Sequence, residues 1–459
     1  MSRPWRATFP RLEFIAGAGH VATDDAELAA HEVCGMRPAA VVRPAYAGEV
    51  ADVVRFAVSQ KLAVIPMAGA TKVSIGLPPS RYDIAINLSR MNRVLSYDPH
   101  DLTLGVEPGV RIEDLTRALA EKKQFLPLVV PFSDRATIGG IAAANASSPL
   151  RHSYGGVCDF CLGMEFVTGE GVQAKSGGRV VKNVTGYDLH KLLTGSLGTL
   201  GIITRLNFRT FPMPQAQGTF VASFPSPEPA FEFCSAIAHS VLSPQMVEVA
   251  DPGACRLIFS AKSSMRILPM HWSVILSAAG QPAVVERYAR ELGHMATAAN
   301  AAEFLQMNDG EQFSAFRRIR EFPRLLLGAA PDAAIFRIGV LPAGMPSLLD
   351  ALSEIAKRFK VELTSLTRAS GIIYAAFFAQ SGNGVPSNAT MTAVREAFHV
   401  CALPKTCARA MLEWCPAEMK RMGVDPWGPW RDDFALMRRV KNAFDPQNVL
   451  APGRFAGGI

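Results

Sequence analysis

The chain has 459 residues, of which 49% are hydrophobic and 19% are charged, and its formal net charge is +7. At roughly 150 residues per domain this length indicates two or three domains with a large core, which excludes a disordered chain and a disulfide-stapled small protein. The basic residues are scattered rather than grouped in a stripe with aromatic residues, so we expect no nucleic-acid partner.

The first part of the chain alternates helix and strand patterns. The predicted elements are a helix over 50–58, strands over 62–66, 84–88 and 102–106, a helix over 111–123, a hairpin of 161–168 with 172–175, and a strand over 201–211. This order predicts an α+β unit.

Five prolines between residues 212 and 229 interrupt regular structure and predict a domain boundary near residue 215. The elements predicted beyond it are strands over 219–224, 246–249, 255–260, 272–277, 334–341, 361–366 and 372–379, and helices over 228–240, 283–296, 309–320, 389–399 and a stretch ending at 359. The tail over 431–455 predicts one helix and an extended end. We therefore divide the chain into segments 1–32, 33–215, 216–420 and 421–459.

Three small-residue loops in the first unit are candidates for phosphate binding. They cover residues 67–72, 137–140 and 195–201, and 13 of the 37 glycines lie between residues 139 and 201. Backbone amides in such loops can point at an anion, and Thr137 can cap a helix whose positive end faces the same anion. Each loop alone also fits an ordinary turn, but three in one unit favour the phosphate interpretation.

Other catalytic fingerprints are missing. The chain has no Gly-Lys pair for a Walker loop, and its nine histidines show neither H-x-H nor H-E-x-x-H spacing, so we assign no metal. Cys158 and Cys161 have redox spacing but no second pair, and we interpret them as unreactive thiols. The few cysteines point to a reducing compartment, the cytoplasm.

Read in order, the three loops and two further runs resemble the FAD-binding domain of the vanillyl-alcohol-oxidase (PCMH) type. The further runs are Lys182-Asn-Val-Thr-Gly-Tyr-Asp-Leu189 and the ending Phe444-Asp-Pro-Gln-Asn-Val-Leu-Ala-Pro-Gly-Arg-Phe455. The ending resembles the C-terminus of the glycolate and D-lactate dehydrogenase branch. Within that branch, the run from Val181 to Leu189 and the run Asp425-Pro-Trp-Gly-Pro429 resemble the FAD-binding subunit of glycolate oxidase. The resemblance implies a two-subdomain FAD-binding domain and an α+β cap domain of the FAD-linked oxidase type.

The resemblance also implies which residues hold FAD. Asn145 and the backbone near Ile202 would line the flavin and adenine sides, and Lys182 and Arg454 are the cations expected nearest the ring or the phosphates. Lys72 and Gly198 are further residues expected to bind the cofactor. The residues expected to hold the diphosphate are Ala68, Gly69, Ala70, Thr71, Thr137, Gly139 and Gly140. Because His152 lacks the context of a flavin attachment point, we expect FAD to bind without a covalent link.

Catalytic members of the branch carry an H-x-H metal pair on a cap strand, and the comparable strand here, over 370–378, has none. Tyr374, Arg337 and Arg368 are weak catalytic candidates, and for each of them a structural role on its strand is favoured. Since a phenol is a poor base at neutral pH, we expect the isolated chain to be reduced slowly or not at all by glycolate or D-lactate, whether or not a chelator is present.

These features predict an FAD-binding oxidoreductase subunit of a glycolate-oxidase-like complex acting on a small 2-hydroxyacid. The expected partners are a flavoprotein subunit with H-x-H and an iron-sulfur subunit. The alternatives are a free-standing oxidase or dehydrogenase and a flavin-holding subunit without turnover. No apolar run suits an integral membrane segment, so we expect a cytoplasmic protein whose membrane contact, if any, is peripheral to the inner face.

Overall fold

The computed structural model describes residues 9–179, 186–259, 270–379, 386–429 and 432–459, which build three main sheets. The first sheet has the order β1-β2-β4-β3, and its last three strands are parallel. Its elements are α1 (Phe9–Ala16), β1 (Val21–Ala22), α2 (Asp25–Ala30), β2 (Ala40–Val42), α3 (Ala47–Ser59), β3 (Val64–Met67) and β4 (Ile84–Asn87). Helix α3 packs its apolar face on this sheet because Val50, Val53, Val54 and Ala57 recur at helical spacing.

The second sheet is antiparallel, with the order β5-β6-β10-β8-β9. Its strands are β5 (Val94–Asp98), β6 (Thr103–Val106), β8 (Cys161–Val167), β9 (Gln173–Gly177) and β10 (Ile202–Arg209), while β7 (Gln124–Phe125) pairs with β11 (Phe211–Pro212). Its helices are α4 (Ile112–Ala120), α5 (Ile138–Ala143), α6 (Arg151–Tyr154), α7 (Val157–Phe160) and α8 (Leu189–Leu193). We call residues 9–212 of these two sheets the FAD half.

The third sheet, the cap sheet, is antiparallel with the order β15-β12-β14-β13-β17-β18-β16-β19. Its strands are β12 (Ala216–Phe224), β13 (Met246–Ala250), β14 (Trp272–Gly280), β15 (Glu303–Gln306), β16 (Ala334–Gly339), β17 (Glu362–Arg368), β18 (Ile372–Phe378) and β19 (Arg409–Trp414). The helices after β12 are α9 (Pro227–Ala238), α10 (Pro252–Ile258), α11 (Pro282–Ala298), α12 (Asp309–Arg320), α13 (Phe322–Ala329), α14 (Met345–Phe359), α15 (Asn388–Ala402), α16 (Ala417–Arg421) and α17 (Phe434–Phe444).

The two faces of the cap sheet have different neighbours. One face packs against α9, α11, α14 and α15 in a large apolar core. The other face packs against α10, α12 and α13 and carries the side chains that reach the FAD half. Because side chains alternate along a strand, every second residue of β16, β17 and β18 points to the FAD half.

The C-terminal segment returns to the first sheet. The Val64 amide donates to the Val449 carbonyl at 2.9 Å, and the Ala451 amide donates to the Val64 carbonyl at 2.8 Å. Lys441 of α17 is buried and donates to Asp445 at 2.6 Å and to the Thr199 carbonyl at 2.9 Å. The segment boundaries at 33, 216 and 421 stay predictions.

Most predicted elements are found within a few residues, but the strand predicted over 255–260 is wrong. Residues 252–258 form α10, because Asp251 accepts a capping hydrogen bond from the Ala254 amide at 2.7 Å and Pro252 occupies the first helical position. Ala254, Cys255 and Ile258 then share one buried helical face. In the part of the chain that the structure describes, no helix is long and apolar enough to cross a membrane.

Candidate functional site

A cavity of about 790 Å³ opens in the FAD half, and all three predicted loops line it. The first loop follows β3, the second begins α5, and the third precedes β10. Every residue of the three loops that is expected to bind the cofactor lines this cavity. The three loops therefore border one shared space.

The first loop is held close to the second by Gly69. A Cβ at this position would lie 1.9 Å from the Arg135 carbonyl oxygen, so the loop conformation needs glycine there. Ala70 follows in the left-handed region, with φ of 52°. Gly69 therefore serves the contact between the two loops as well as lining the cavity.

The second loop behaves differently at its two glycines. Thr137 occupies the N-cap position of α5 as expected, although its side chain accepts no capping hydrogen bond from the described backbone. A Cβ at Gly139 would lie 2.5 Å from Pro108 Cβ, so Gly139 is required for packing. Gly140 is exposed in the cavity, and among described atoms its Cβ would meet Thr137 Oγ1 alone, at 3.3 Å.

The third loop is fixed to the end of α5. The amides of Gly195 and Leu197 donate to the carbonyls of Ala142 and Ala143 at 3.0 and 2.8 Å. Leu197 and Gly198 are both left-handed, with φ of 53° and 74°. The neighbouring Ile202 is buried in the core of the first sheet and does not line this cavity, whereas Gly201 and Ile203 do.

Buried cations surround the backbone that follows the first loop. Arg454 donates to the carbonyls of Val73 and Ile75, and Lys420 donates to those of Ser74 and Gly76. Arg454 is 4% exposed, lines the cavity, and its Nε has no hydrogen-bond partner among the described residues. Burial lowers the pKa of Arg454 from its ordinary value. The cationic wall, the open Gly140 position and this unpaired Nε fit an extended anionic cofactor such as FAD.

A second, open cleft of about 2,000 Å³ lies between the FAD half, the cap sheet and the C-terminal segment. Its inner end is lined by Asn145, Ser147, Arg151 and Arg337. Asn145 is left-handed, with φ of 44°, and its carbonyl accepts a hydrogen bond from Arg337 at 2.8 Å. Since Ala143 and Ala144 line the first cavity and Asn145 lines the cleft, the two spaces meet at the end of α5.

The three catalytic candidates come together on the cap sheet. Arg337 pairs with Tyr374 across β16 and β18, and both face the FAD half. Arg368 lies 4.9 Å from the Tyr374 ring centroid and donates to Ser147 Oγ. Arg368 also forms an ion pair at 3.1 Å with Glu248, its cross-strand partner on β13. Burial raises the pKa of Glu248 to about 7, against the opposing effect of Arg368.

A second buried acid, Glu413, joins the cap to the first loop. The register of β19 skips Glu413, because Phe336 pairs with Leu412 and Ile335 pairs with Trp414. Such a bulge redirects a side chain. Glu413 contacts Lys72 Nζ and lies 3.5 Å from Arg337 Nε. Burial, followed by the positive charges of Arg337 and Arg368, lowers the pKa of Lys72 well below its ordinary value.

Sequence reasoning missed Glu248, Glu413, Ser147 and Lys420. Glu413 was missed because no strand was predicted over 409–414, where β19 lies. A carboxylate within an apolar run was the sequence signal that could have indicated a buried functional acid. Lys182 lies outside the described residues. Within the described ranges no group of three His, Cys, Asp or Glu side chains suits a metal, all eight cysteines are free, and burial raises the pKa of Cys161 to about 12.

Comparison with known proteins agrees with this architecture. Residues 38–177 match the FAD binding domain family, and residues 213–405 and 430–455 match the C-terminal domain family of FAD linked oxidases. Glycolate oxidase subunit GlcD of Bacillus subtilis is 24% identical over 91% of this chain and 88% of its own length. The mitochondrial D-lactate dehydrogenase [cytochrome] of Arabidopsis thaliana is 26% identical over 91% and 73%.

Glycolate oxidase subunit GlcE of Escherichia coli is 33% identical over 37% of this chain and 49% of its own length. The structure of 4-ethylphenol oxidase from Gulosibacter chungangensis superposes with a TM-score of 0.77, at 16% identity, over 99% of this chain and 97% of that one. That likeness shows the fold alone. With both domain families matched in order, the chain belongs to the FAD-linked oxidases and is an FAD-dependent oxidoreductase with a PCMH-type FAD-binding domain.

Proposed function

We propose that this chain oxidises a 2-hydroxyacid with its FAD and works as a subunit of a glycolate-oxidase-like complex. The observation that carries the proposal is the convergence of Arg337, Arg368 and Tyr374 on the cap face that meets the FAD half. Two guanidiniums lie there beside the buried carboxyl groups of Glu248 and Glu413, and Arg337 lines the cleft as a cation for an anionic substrate. The similarity to a glycolate oxidase subunit and to a D-lactate dehydrogenase supports the substrate class.

Arg337 is the residue we assign to the substrate carboxylate. Its side chain is 17% exposed and lines the cleft, and its Nη1 donates a hydrogen bond to the Asn145 carbonyl, which orients the guanidinium. Arg368 is more deeply buried and is occupied by Glu248 and Ser147, so we assign it to positioning Tyr374 and to the local positive potential. A charge-assisted hydrogen bond from a guanidinium to a carboxylate contributes about 1.5–3 kcal/mol.

FAD, when bound, accepts the substrate's α-hydrogen as a hydride equivalent. The hydroxyl proton must leave at the same time, and we assign it to Lys72. A lysine whose pKa is lowered by burial and by neighbouring cations carries a neutral amine at lower pH than a solvated lysine does. Glu413 holds this amine on the cap side of the loop, and it can stabilise the ammonium that forms. We assign no proton transfer to Tyr374, which lies beside Arg337 and Arg368.

The residues around the first cavity would hold FAD without a covalent link. In this proposal the amides of residues 68–72 and the start of α5 face the diphosphate, and Arg454 supplies positive charge at the cavity wall. Acid precipitation of the purified yellow protein tests this directly. We expect the flavin in the supernatant at one FAD per chain, and flavin that stays in the pellet would contradict it.

Membership of a complex is supported by the names of two relatives, which are both subunits of glycolate oxidases. The partners we propose are a flavoprotein subunit with an H-x-H metal pair and an iron-sulfur subunit. We place the complex in the cytoplasm or at the inner face of the membrane. Affinity purification from the native cell tests this, with identification of the bound chains by mass spectrometry. A fully active monomer would contradict membership.

The chemical proposal is tested by anaerobic stopped-flow measurement of flavin bleaching. A panel of D-2-hydroxyacids is mixed with the purified holoprotein before and after EDTA treatment. We expect glycolate and D-lactate to bleach the flavin slowly or not at all. An acid that does bleach it should do so equally before and after EDTA, because the proposed groups are Lys72 and Arg337. Bleaching that EDTA abolishes would contradict this mechanism. If no acid bleaches the flavin but the reconstituted complex does, the chain is an electron-transfer subunit, and the cap site does not turn over substrate.

A further inference from the structure

We infer that the cleft beside Arg337 takes the apolar side chain of a 2-hydroxy monocarboxylic acid of about six or more carbons. This inference rests on the proposed function, because it assumes that the substrate carboxylate lies at the Arg337 end. It concerns the side chain that the substrate carries at C2. Glycolate has no such side chain, and lactate has a single methyl group.

The cleft is polar at one end and apolar along its walls. Asn145, Ser147, Arg151 and Arg337 line the inner end, where the cleft meets the first cavity. The walls beyond it are apolar and come from the cap sheet, α15, α17 and the C-terminal end; they include Ile372, Phe398, Met411, Phe434, Met437 and Phe455. The cleft is open to solvent, and its lining extends well beyond the reach of a two- or three-carbon acid bound at Arg337.

The strand geometry leads outward from Arg337. Gly339 is two residues along β16, so it lies about 7 Å farther on the same face. A Cβ at Gly339 would meet nothing closer than the Arg409 carbonyl oxygen at 3.9 Å among the described atoms, so the cleft stays open at this point. Ile372 and Met411 flank this route on the neighbouring strands.

The charges favour one carboxylate rather than two. Among the lining residues, the inner end carries the cations Arg151 and Arg337, whereas the outer part sets Arg409 against Asp432 and Asp433. A second carboxylate at the outer end would therefore meet one cation and two acids. This charge arrangement favours an apolar tail over a dicarboxylic acid.

The first experiment measures binding without turnover. Acetate, hexanoate, decanoate and glutarate are titrated into the holoprotein, and the dissociation constants are read from the flavin absorbance. Each buried methylene contributes up to about 0.8 kcal/mol, so we expect decanoate to bind at least tenfold more tightly than acetate. Equal affinities along the series, or tightest binding of glutarate, would overturn the inference.

A matched pair of variants on α17 locates the effect. Met437 lines the cleft and Leu436 does not, although it is 60% exposed on the same helix. Met437→Glu should remove most of the preference for decanoate over acetate, measured as the ratio of their dissociation constants. Leu436→Glu should keep this preference. Gly339→Leu, which fills the route, should also remove it, whereas the same change at the exposed Gly328 of α13 should not. Equal ratios in all four variants would overturn the inference.

The same acids in 2-hydroxy form separate this inference from the proposed function. Faster flavin bleaching by D-2-hydroxydecanoate than by D-lactate supports both. Tighter binding along the series with no bleaching by any hydroxyacid contradicts the proposed oxidation but supports the cleft. Bleaching that is fastest with glycolate supports the oxidation and contradicts the cleft.

Discussion

Lys72 and Glu413 form an ion pair across the junction of the FAD half and the cap, although 341 positions separate them in the chain. Glu413 is fully buried, and the Lys72 side chain is 10% exposed. Arg337 lies against the same carboxylate, with its Nε 3.5 Å away. The loop expected at the FAD diphosphate is thereby connected to the residue that we assign to the substrate carboxylate.

Replacing Lys72 tests the proton transfer. Lys72→Met should lower the limiting rate of flavin reduction by about 10²- to 10⁴-fold, the usual contribution of a positioned base. In the unaltered protein the rate should rise with pH through the lowered pKa of Lys72, since only the neutral amine accepts a proton. Lys72→Arg should not restore the rate, because a guanidinium keeps its proton.

The readout is the pH profile of stopped-flow reduction, with FAD content as the check on folding. Lys357, an exposed surface lysine, provides the control Lys357→Met, which should behave as the unaltered protein. A Lys72→Met protein that keeps both the rate and the pH-dependent rise would exclude Lys72 as the base.

The two loop glycines should respond differently to the same substitution. Gly140→Val should cost FAD affinity while the apoprotein keeps its thermal stability, because its side chain would project into the cavity with one near neighbour. Gly69→Val should lower both the FAD affinity and the thermal stability of the apoprotein, because its Cβ would overlap the Arg135 carbonyl. FAD titration and apoprotein melting measure the two effects. Similar losses of stability at both positions would contradict this distinction.

Arg337 should control substrate affinity more than chemistry. Arg337→Met is expected to raise KM for a hydroxyacid by roughly ten- to a hundredfold, which corresponds to the loss of one charge-assisted hydrogen bond of about 1.5–3 kcal/mol. Arg358, an exposed arginine of α14 that lines neither the first cavity nor the cleft, offers the control Arg358→Met. Steady-state kinetics with an artificial electron acceptor measure both. An unchanged KM in Arg337→Met would contradict the assignment.

The sequence predicted local structure well and long-range contacts poorly. Helix α3 and strand β3 follow from apolar spacing alone. The three loops were recognisable because glycine permits left-handed and closely approaching backbone that other residues avoid. Helix α10 was missed because apolar residues in a short run fit a strand as well as a helix, and the capping Asp251 decided it.

The candidate site depends on pairings that no local pattern encodes. Glu248 meets Arg368 because β13 and β17 are neighbours in the cap sheet, although 120 positions separate the two residues. Glu413 reaches Lys72 through a one-residue bulge whose position depends on how β19 pairs with β16. Arg337 and Tyr374 could be named in advance, but their convergence required the order of the strands.

The buried carboxyl of Glu248 should make folding stability fall as pH rises. Its pKa is about 7 in the folded chain against an ordinary value of 4.5, mainly because burial disfavours the charged form. Between these values the folded chain keeps a proton that the unfolded chain releases, so this contribution is complete below pH 4.5 and is lost as pH rises through 7. Relative to Glu248→Gln, the unaltered protein should lose about 3 kcal/mol of unfolding free energy over this range.

Urea unfolding of both proteins at several pH values measures the difference, and Glu354→Gln, at an exposed surface pair, should show no such trend. Parallel curves for the unaltered protein and Glu248→Gln would mean that Arg368 keeps the carboxylate ionised throughout.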